Sequence, residues 1–182
     1  MSTNPNKQLS KFISMILRHR PGAIGIELDP QGWANVEELI EKLNQRAWNI
    51  HFDTLVKLVE QNDKQRFAFN ADRTKIRANQ GHSIPIDLGY ISKEPPAILY
   101  HGTGKKYVAS ILKTGLNKQK RHHVHLSADR ETAHKVGQRH GKPVIFEVQT
   151  GEMYRAGFEF FCSDNGVWLT DRVPLDYLIL PE

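Results

Sequence analysis

The feature that most constrains the fold of this chain is a change in the spacing of its apolar residues. Up to about residue 60, apolar residues recur at i, i+3, i+4 and i+7, the spacing of an amphipathic helix. Beyond residue 96, short apolar runs typical of strands alternate with helical patterns. The stretch between them, NQGHSIPIDLGYISKEPP, has no helical stripe and is typical of a linker or functional loop. Two lobes of different architecture are therefore expected.

The first half predicts three helices and a hairpin. The first helix begins near Leu9 and ends near Arg18 and His19, because Pro21 disfavours helical geometry at the residue before it. The next two follow from the apolar sets Val36, Leu39, Ile40, Leu43 and Phe52, Leu55, Val56, Val59. KQRFAFN and RTKIRAN, joined by turn residues, predict a two-stranded hairpin. Together these elements match the winged variant of the helix-turn-helix arrangement.

The second half predicts a mixed lobe. Strands are expected at AILYH, HVHLS, PVIFEV, EFFCS, GVWLT and DYLIL. One helix runs through Val108, Ile111 and Leu112 and stops at Gly115, and another ends near Gly141. The predicted fold class is α+β, with domains at 1–79 and 97–182 and a linker or cleft loop at 80–96.

Charge and composition indicate which kinds of partner this protein binds and in which cellular compartment it is expected. The net charge of +5 and a pI near 9.3 favour anionic partners such as nucleic acid. A single cysteine, Cys162, excludes an intrachain disulfide and a multi-cysteine zinc site, and fits a reducing compartment. No apolar run approaches the ~20 residues that span a bilayer, and the N-terminus has no signal core. A cytoplasmic protein without a membrane partner is expected.

Two stretches carry groups suited to chemistry. YHGTGKK predicts a strand end, a turn and a helix start, whose N–H groups suit a pyrophosphate, although such glycines also serve plain turns. Its spacing matches neither a Rossmann nor a P-loop motif.

KRHHVHLS places His123 and His125 on one face of a strand, with Arg121 nearby. Zinc would need a third ligand, so hydrogen bonding by these histidines is the favoured interpretation.

Three arginines far apart in sequence admit two interpretations. Arg18 ends a helix, Arg66 precedes the hairpin, and Arg121 precedes a strand of the second lobe. Most arginines are solvated surface charges. The alternative is a phosphate clamp, because a guanidinium stays charged and holds phosphate oxygens through paired N–H donors.

Seven motifs together resemble a known enzyme family. They are LSKFISMILRHRP, GWANVEELI, KQRF, IRANQGHS, LYHGT, KRHHVHLS and NGVWLT, in family order and over nearly the whole chain. The sequence resembles the RNA 2′-phosphotransferases, the NAD-dependent enzymes that remove the splice-junction 2′-phosphate from transfer RNA, and their bacterial counterparts. The resemblance implies an N-terminal winged-helix lobe and a C-terminal ADP-ribosyltransferase-like lobe, with the active site in the cleft between them.

The resemblance also implies a set of site residues. The catalytic set of the family falls on Arg18, His19, Arg66 and Arg121. Residues expected near NAD, consumed as co-substrate, are His101, Gly102, Thr103, Leu126 and Ser127. Additional expected binding residues are Arg77, Gln80, His82 and Ser83. No metal is expected, and Arg20 lies outside the set.

The chemistry implied by the resemblance has two steps. The RNA 2′-phosphate attacks the nicotinamide-bearing ribose carbon of NAD and expels nicotinamide, and a hydroxyl of that ribose then attacks the phosphorus. The products are RNA with a free 2′-hydroxyl and ADP-ribose cyclic phosphate. The expected partners are NAD and a tRNA-like RNA carrying a 2′-phosphate, bound by a monomer.

Two other functions stay open at this point. One is ADP-ribosylation of nucleic-acid phosphate ends, which uses the first step alone. The other is a non-catalytic winged-helix regulator that binds nucleic acid, although Asp53 and Glu60 make the third helix a poor surface for phosphates. Val167 lies where many protein-modifying ADP-ribosyltransferases have a catalytic glutamate, which argues against modification of proteins.

Overall fold

The computed structural model describes residues 5–62 and 65–179. The chain forms two compact units, the first reaching Gly89 and the second starting at Tyr90. Both units contain helices and strands, so the chain is a mixed α and β protein compatible with the α+β class. In the described parts of the chain, no helix has the length and apolar character that crossing a membrane requires.

The first unit contains the three predicted helices: α1 (Pro5–His19), α2 (Val36–Asn44) and α3 (Phe52–Glu60). α1 ends where Pro21 predicts, and the Arg20 N–H donates to the Met15 carbonyl at 3.1 Å. Asn35 caps α2, since its side chain accepts from the Glu38 N–H at 2.9 Å. The helix end therefore fixes the positions of Arg18 and His19, in the turn where the helix dipole favours cations.

The hairpin of the first unit is confirmed, with one strand more than predicted. Strands β2 (Phe67–Phe69) and β3 (Lys75–Ala78) pair antiparallel, with Phe67 opposite Ala78. β1 (Ala34–Asn35) pairs with the other edge of β3, which gives the order β1-β3-β2. Lys64, part of the predicted KQRFAFN strand, lies outside the described residues.

The core of the first unit lies between the three helices and this sheet. Its largest fully buried side chains are Ile13, Ile16, Leu17, Leu39, Leu43, Leu55 and Ile76. Each such side chain contributes about 1.5–3 kcal/mol on burial. This packing fixes the last turn of α1 against the sheet, leaving Arg18 half-buried and His19 exposed.

The turn between Asp29 and Trp33 is held by one carboxylate. Asp29 Oδ1 accepts from the N–H groups of Gln31 at 3.1 Å and Trp33 at 2.9 Å, and Oδ2 accepts from Lys75 Nζ at 3.1 Å. Burial raises the pKa of Asp29, but the hydrogen bonds from Trp33, Lys75 and Gln31 together outweigh it and hold that pKa below its usual value. The ionised carboxylate therefore stabilises the folded unit.

Asp29→Ala is expected to lower the free energy of unfolding by about 1–2 kcal/mol at neutral pH. Because the folded pKa is depressed, this contribution is complete above the unfolded value of about 4 and is lost as pH falls through the folded value. Urea unfolding at neutral and acid pH measures the gap between wild type and variant. Lys75→Ala, which removes only the ion pair, should cost less than about 1 kcal/mol. A gap that stays constant into acid would contradict the assignment.

The second unit contains three helices and eight strands among its described residues. The helices are α4 (Val108–Thr114), α5 (Arg130–Gly137) and α6 (Thr150–Arg155). The strands are β4 (Leu99–Gly104), β5 (Leu116–Asn117), β6 (Val124–Leu126), β7 (Pro143–Val148), β8 (Phe161–Cys162), β9 (Trp168–Thr170), β10 (Arg172–Val173) and β11 (Leu178–Ile179). They form the sheets β11-β7-β4, β6-β9-β8 and β10-β5.

All six strands predicted for this half are present, and α4 stops at Gly115 as predicted. Leu180, the end of the predicted DYLIL strand, lies outside the described residues. Two backbone hydrogen bonds, at 2.9 and 2.7 Å, join Tyr100 to Ser127 and so connect β4 to the chain after β6. The core beneath these sheets comprises Leu99, Leu116, Val124, Leu126, Val148, Met153, Phe160, Trp168 and Val173.

The predicted turn at Gly102 and Gly104 is wrong, because both glycines lie within strand β4. A Cβ atom on Gly102 would lie 1.7 Å from the carbonyl oxygen of Ala133 in α5. A Cβ atom on Gly104 would lie 2.4 Å from the carbonyl oxygen of His140. Gly102 therefore permits close packing of α5 on the strand, and Gly104 permits that of the turn after α5. A short 3-10 helix (Lys105–Tyr107) follows the strand, and α4 begins at Val108.

Candidate functional site

In the first unit, Ser83 binds both residues at the end of α1. Its N–H donates to the carbonyl oxygen of Arg18 at 3.0 Å, and its Oγ lies 2.9 Å from His19 Nδ1. The Nε and Nη2 atoms of Arg18 are buried, whereas the His19 side chain is exposed. A single serine therefore fixes the backbone that carries the guanidinium and also the ring beside it.

Arg66 is positioned by two asparagines. Its Nη1 donates to Asn62 Oδ1 at 3.3 Å, and its carbonyl oxygen accepts from the Asn79 N–H at 2.9 Å. The Asn79 side chain is also buried and donates through Nδ2 to the carbonyl oxygen of Gln65 at 2.6 Å. Gln65 has a φ of +39°, an uncommon conformation that these bonds help to hold. The approach to β2 is thus fixed directly before Phe67.

The segment 79–83 brings these two groups together. Asn79 binds the backbone of Arg66, and Ser83 binds that of Arg18. Residues four apart in sequence have Cα atoms at most about 14 Å apart. Arg18, His19 and Arg66, distant in sequence, therefore lie along one short segment of the chain.

In the second unit, Arg121, His125 and His101 form one hydrogen-bonded chain. Arg121 Nη1 donates to His125 Nδ1 at 2.6 Å, which puts the proton of a neutral His125 ring on Nε2. His101 Nδ1 lies 3.1 Å from the carbonyl oxygen of His125 and donates to it. β6 carries His125 and β4 carries His101, so the two strands together hold the histidine that contacts the arginine.

Arg121 carries the positive charge of this hydrogen-bonded group, and other basic residues lie near it. Burial lowers the pKa of His101, the positive charges of Arg121 and His140 lower it further, and the bond to the His125 carbonyl offsets them only in part. His101 is therefore neutral near pH 7. Burial and then the charge of Arg139 lower the pKa of the Arg121 guanidinium, which nevertheless stays charged. Cations that crowd together in this way favour an anionic ligand.

His123 has a packing role. Its ring lies 5.5 Å from that of Phe161 and 6.2 Å from that of Tyr90, measured between centroids. Burial, followed by the charges of His122 and Lys118, lowers its pKa despite the opposing charge of Asp171. It directly precedes β6 rather than lying in it, so of the two histidines predicted in this strand only His125 is a strand residue.

Comparison with known proteins decides the family of the chain. Residues 4–172 match the family model described as "RNA 2'-phosphotransferase, Tpt1 / KptA family". The chain belongs to the RNA 2′-phosphotransferase family. The resemblance inferred from the seven motifs is confirmed.

Relatives from several bacteria are similar over nearly their full lengths, and each is named "Probable RNA 2'-phosphotransferase". The chain is 53% identical to the protein of Flavobacterium johnsoniae, over 98% of both chains. It is 55% identical to that of Trichormus variabilis, over 94% of both. It is 51% identical to that of Burkholderia pseudomallei, again over 94% of both.

The residues that the RNA 2′-phosphotransferase motifs assign to binding differ in exposure. Arg77 stacks over Trp33 at 4.5 Å from the ring centroid, and His82 is buried beside the Gly32 turn. Thr103 and Leu126 are also buried. Gln80, Ser127 and His101 are half-buried, and Ser83 is exposed. Their roles toward a ligand remain predictions.

Two contributors to the candidate site lay outside the sequence-based set. Asn79 follows the IRA strand and fixes the Arg66 backbone, and His125 accepts from Arg121. An asparagine directly after a strand is ordinary turn chemistry, so only its burial distinguishes it. His125 was recognisable as a hydrogen-bonding histidine within KRHHVHLS, but its partner was not.

Proposed function

We propose that this protein is an NAD-dependent enzyme that removes an internal 2′-phosphate from a tRNA-like RNA. Family membership over residues 4–172 supports an RNA 2′-phosphotransferase. The observation that carries the proposed mechanism is the guanidinium of Arg121, held by His125 Nδ1 at 2.6 Å in a cluster of positive charge. Such a group binds phosphate oxygens through several N–H donors.

The proposed lobes correspond to the two units except in the stretch 80–96, which the boundary after Gly89 divides between them. The first, at 1–79, is a winged-helix lobe for the RNA phosphate, supported by its three helices and the β1-β3-β2 sheet. The second, at 97–182, is an ADP-ribosyltransferase-like lobe for NAD, supported by its small antiparallel sheets packed with helices. The stretch 80–96 links them, and its first residues support the candidate catalytic groups of the first unit.

In the first proposed step, an oxygen of the RNA 2′-phosphate attacks the nicotinamide-bearing ribose carbon of NAD. The carbon–nitrogen bond breaks, and nicotinamide leaves with the bonding electrons. The enzyme needs no nucleophile of its own, because the substrate phosphate supplies one. Arg18, Arg66 and Arg121 orient this phosphate, and positioning of this kind supplies much of a rate enhancement.

In the second proposed step, a hydroxyl of the same ribose attacks phosphorus and loses its proton to water, while the bond from phosphorus to the RNA 2′-oxygen breaks. The arginines bind the crowded phosphorane more strongly than the preceding diester, which lowers the barrier. We assign to His19 the transfer of a proton to the departing oxygen, because its ring is exposed and is held at Nδ1 by Ser83. The products are 2′-hydroxyl RNA and ADP-ribose cyclic phosphate.

The test is incubation with NAD and an RNA that carries one internal 2′-phosphate. Release of nicotinamide, loss of the 2′-phosphate and formation of ADP-ribose cyclic phosphate are expected together. The same RNA without its 2′-phosphate, and a reaction without NAD, are the controls. Intact substrate would refute the proposal, and stable ADP-ribosyl-RNA as the sole product would favour modification of phosphate groups instead.

The contact between His125 and Arg121 gives a graded prediction. His125→Leu removes the acceptor for the guanidinium and should lower kcat/KM about 10- to 100-fold, since positioning errors of this kind are costly. His125→Asn retains an oxygen acceptor near the same point and should keep most of the activity. Steady-state kinetics with both substrates measure the effect, with the circular dichroism spectrum as a check on folding. Equal activity of the two variants would contradict the positioning role.

A further inference from the structure

We propose that a basic and aromatic surface of the second unit binds the single-stranded RNA that flanks the reacting 2′-phosphate. The surface consists of Lys105, Lys106, Tyr107, Arg139, His140 and Lys142. The inference rests on the proposed function, in which RNA is the substrate. It adds a second contact to the RNA, outside the candidate catalytic groups.

The six residues form one continuous surface around the end of β4. The Lys105 N–H donates to the carbonyl oxygen of Lys142 at 2.8 Å, which joins the two stretches of chain. The rings of Tyr107 and His140 meet edge to face, with centroids 6.1 Å apart. Lys106 Nζ lies 5.0 Å from the centroid of the Tyr107 ring. Two stretches of sequence thus present their side chains side by side.

The positive charge of this surface is not compensated. All six side chains are exposed, and Tyr107 retains 44% of its accessible area. No described carboxylate lies within ion-pair distance of its lysines or arginine. Three carboxylates of this unit form ion pairs with other cations: Glu131 binds Lys135, Glu147 binds Arg130, and Asp171 binds Lys118. The surface therefore attracts anions.

The surface is electrostatically continuous with Arg121. The charge of Arg139 lowers the pKa of the Arg121 guanidinium, and that of His140 lowers the pKa of His101. A polyanion bound at Arg121 would therefore meet further positive charge on this side. An RNA strand fits this distribution of charge, with one phosphate bound to Arg121 and the adjacent phosphates bound to the surface.

Tyr107 favours single-stranded nucleic acid among polyanions, and the proposed function makes RNA the expected strand. An exposed ring among cations provides a stacking platform for an unpaired base, while the cations track the backbone. RNA carries one phosphate per nucleotide, so several can bind the four uncompensated cations. A dinucleotide offers only two phosphates, which leaves part of this charge without a ligand.

The test measures binding of a labelled single-stranded RNA of about 12 nucleotides that lacks a 2′-phosphate, by fluorescence anisotropy with the full chain. Combining Lys105→Ala, Lys106→Ala and Lys142→Ala should raise Kd at least about tenfold at low salt. The slope of log K against log salt should fall by about 2, since each lost contact to a single strand removes about 0.7. Tyr107→Ala should weaken binding at least about fivefold, and Tyr107→Phe should retain it.

A matched control removes the same charge from elsewhere in the unit. Lys113→Ala, Lys135→Ala and Arg155→Ala together should change Kd less than about twofold. Equal Kd values and salt slopes for the two triple variants would overturn the inference. So would a higher KM for NAD in the first variant with unchanged RNA binding. Failure of the wild type to dephosphorylate RNA would refute the proposed function, whereas the binding comparison would still decide on this surface.

Discussion

Arg121→Ala is expected to lower kcat/KM for 2′-phosphorylated RNA by about two to three orders of magnitude, or about 3–4 kcal/mol of transition-state stabilisation. The guanidinium is held at 2.6 Å from His125 Nδ1 and keeps its charge among neighbouring cations. Alanine removes both the charge and the N–H donors. Arg66→Ala should have an effect of similar size, because the same phosphate is proposed to bind there.

Arg121→Lys separates charge from geometry. Lysine keeps the positive charge but loses the planar arrangement of donors, so activity should stay well below that of the wild type. Arg155→Ala removes one exposed arginine of the same unit and serves as the control, with activity close to the wild type. Kinetics with saturating NAD and varied RNA measure each effect. Near-normal turnover in both Arg66→Ala and Arg121→Ala would break the phosphate-clamp model.

Gly102→Ala should destabilise the second unit by about 3 kcal/mol or more. The added methyl group would lie 1.7 Å from the Ala133 carbonyl oxygen and 2.5 Å from its carbon, both of them backbone atoms of α5. The helix would have to move away from β4, which carries His101 on the opposite face. For a chain of this size, the melting temperature should fall by about 6–12 °C.

Gly22→Ala is the matched control for this prediction. No heavy atom beyond Gly22 and its two chain neighbours lies within 4 Å of a Cβ built there, and Gly22 has no positive φ. The melting temperature of Gly22→Ala should therefore stay within about 2 °C of wild type. A melting curve of Gly102→Ala that matches wild type would contradict the packing described for β4 and α5. If Gly102 acts only on NAD, the variant would instead raise the KM for NAD without lowering the melting temperature.

Local signals in the sequence predicted most of the secondary structure. Pro21 set the end of α1, Gly115 set the end of α4, and period-two apolar runs located the predicted strands. Strand β1 was not predicted, because it has only two residues and forms by pairing with β3, far along the chain. The packing role of Gly102 was not predicted for a related reason, since the carbonyl group that excludes a side chain there belongs to α5.

The candidate site was predictable only as a set of residue types. The resemblance assigned Arg18, Arg66 and Arg121 from their motifs, but it gave no supporting contacts. Those contacts involve Asn79 and His125, whose partners lie on separate elements. Hydrogen bonds between distant segments leave no periodic pattern in a sequence, so they require the folded chain.

The hydrogen bonds made by the segment 79–83 limit the insertions and deletions that this protein can accept. Asn79, at one end, binds the backbone of Arg66, and Ser83, at the other end, binds Arg18 and His19. A one-residue insertion or deletion there would displace both neighbours at once, and no substitution at a single position would restore them. We therefore expect variants to tolerate length changes after Gly89 far better than within these five residues.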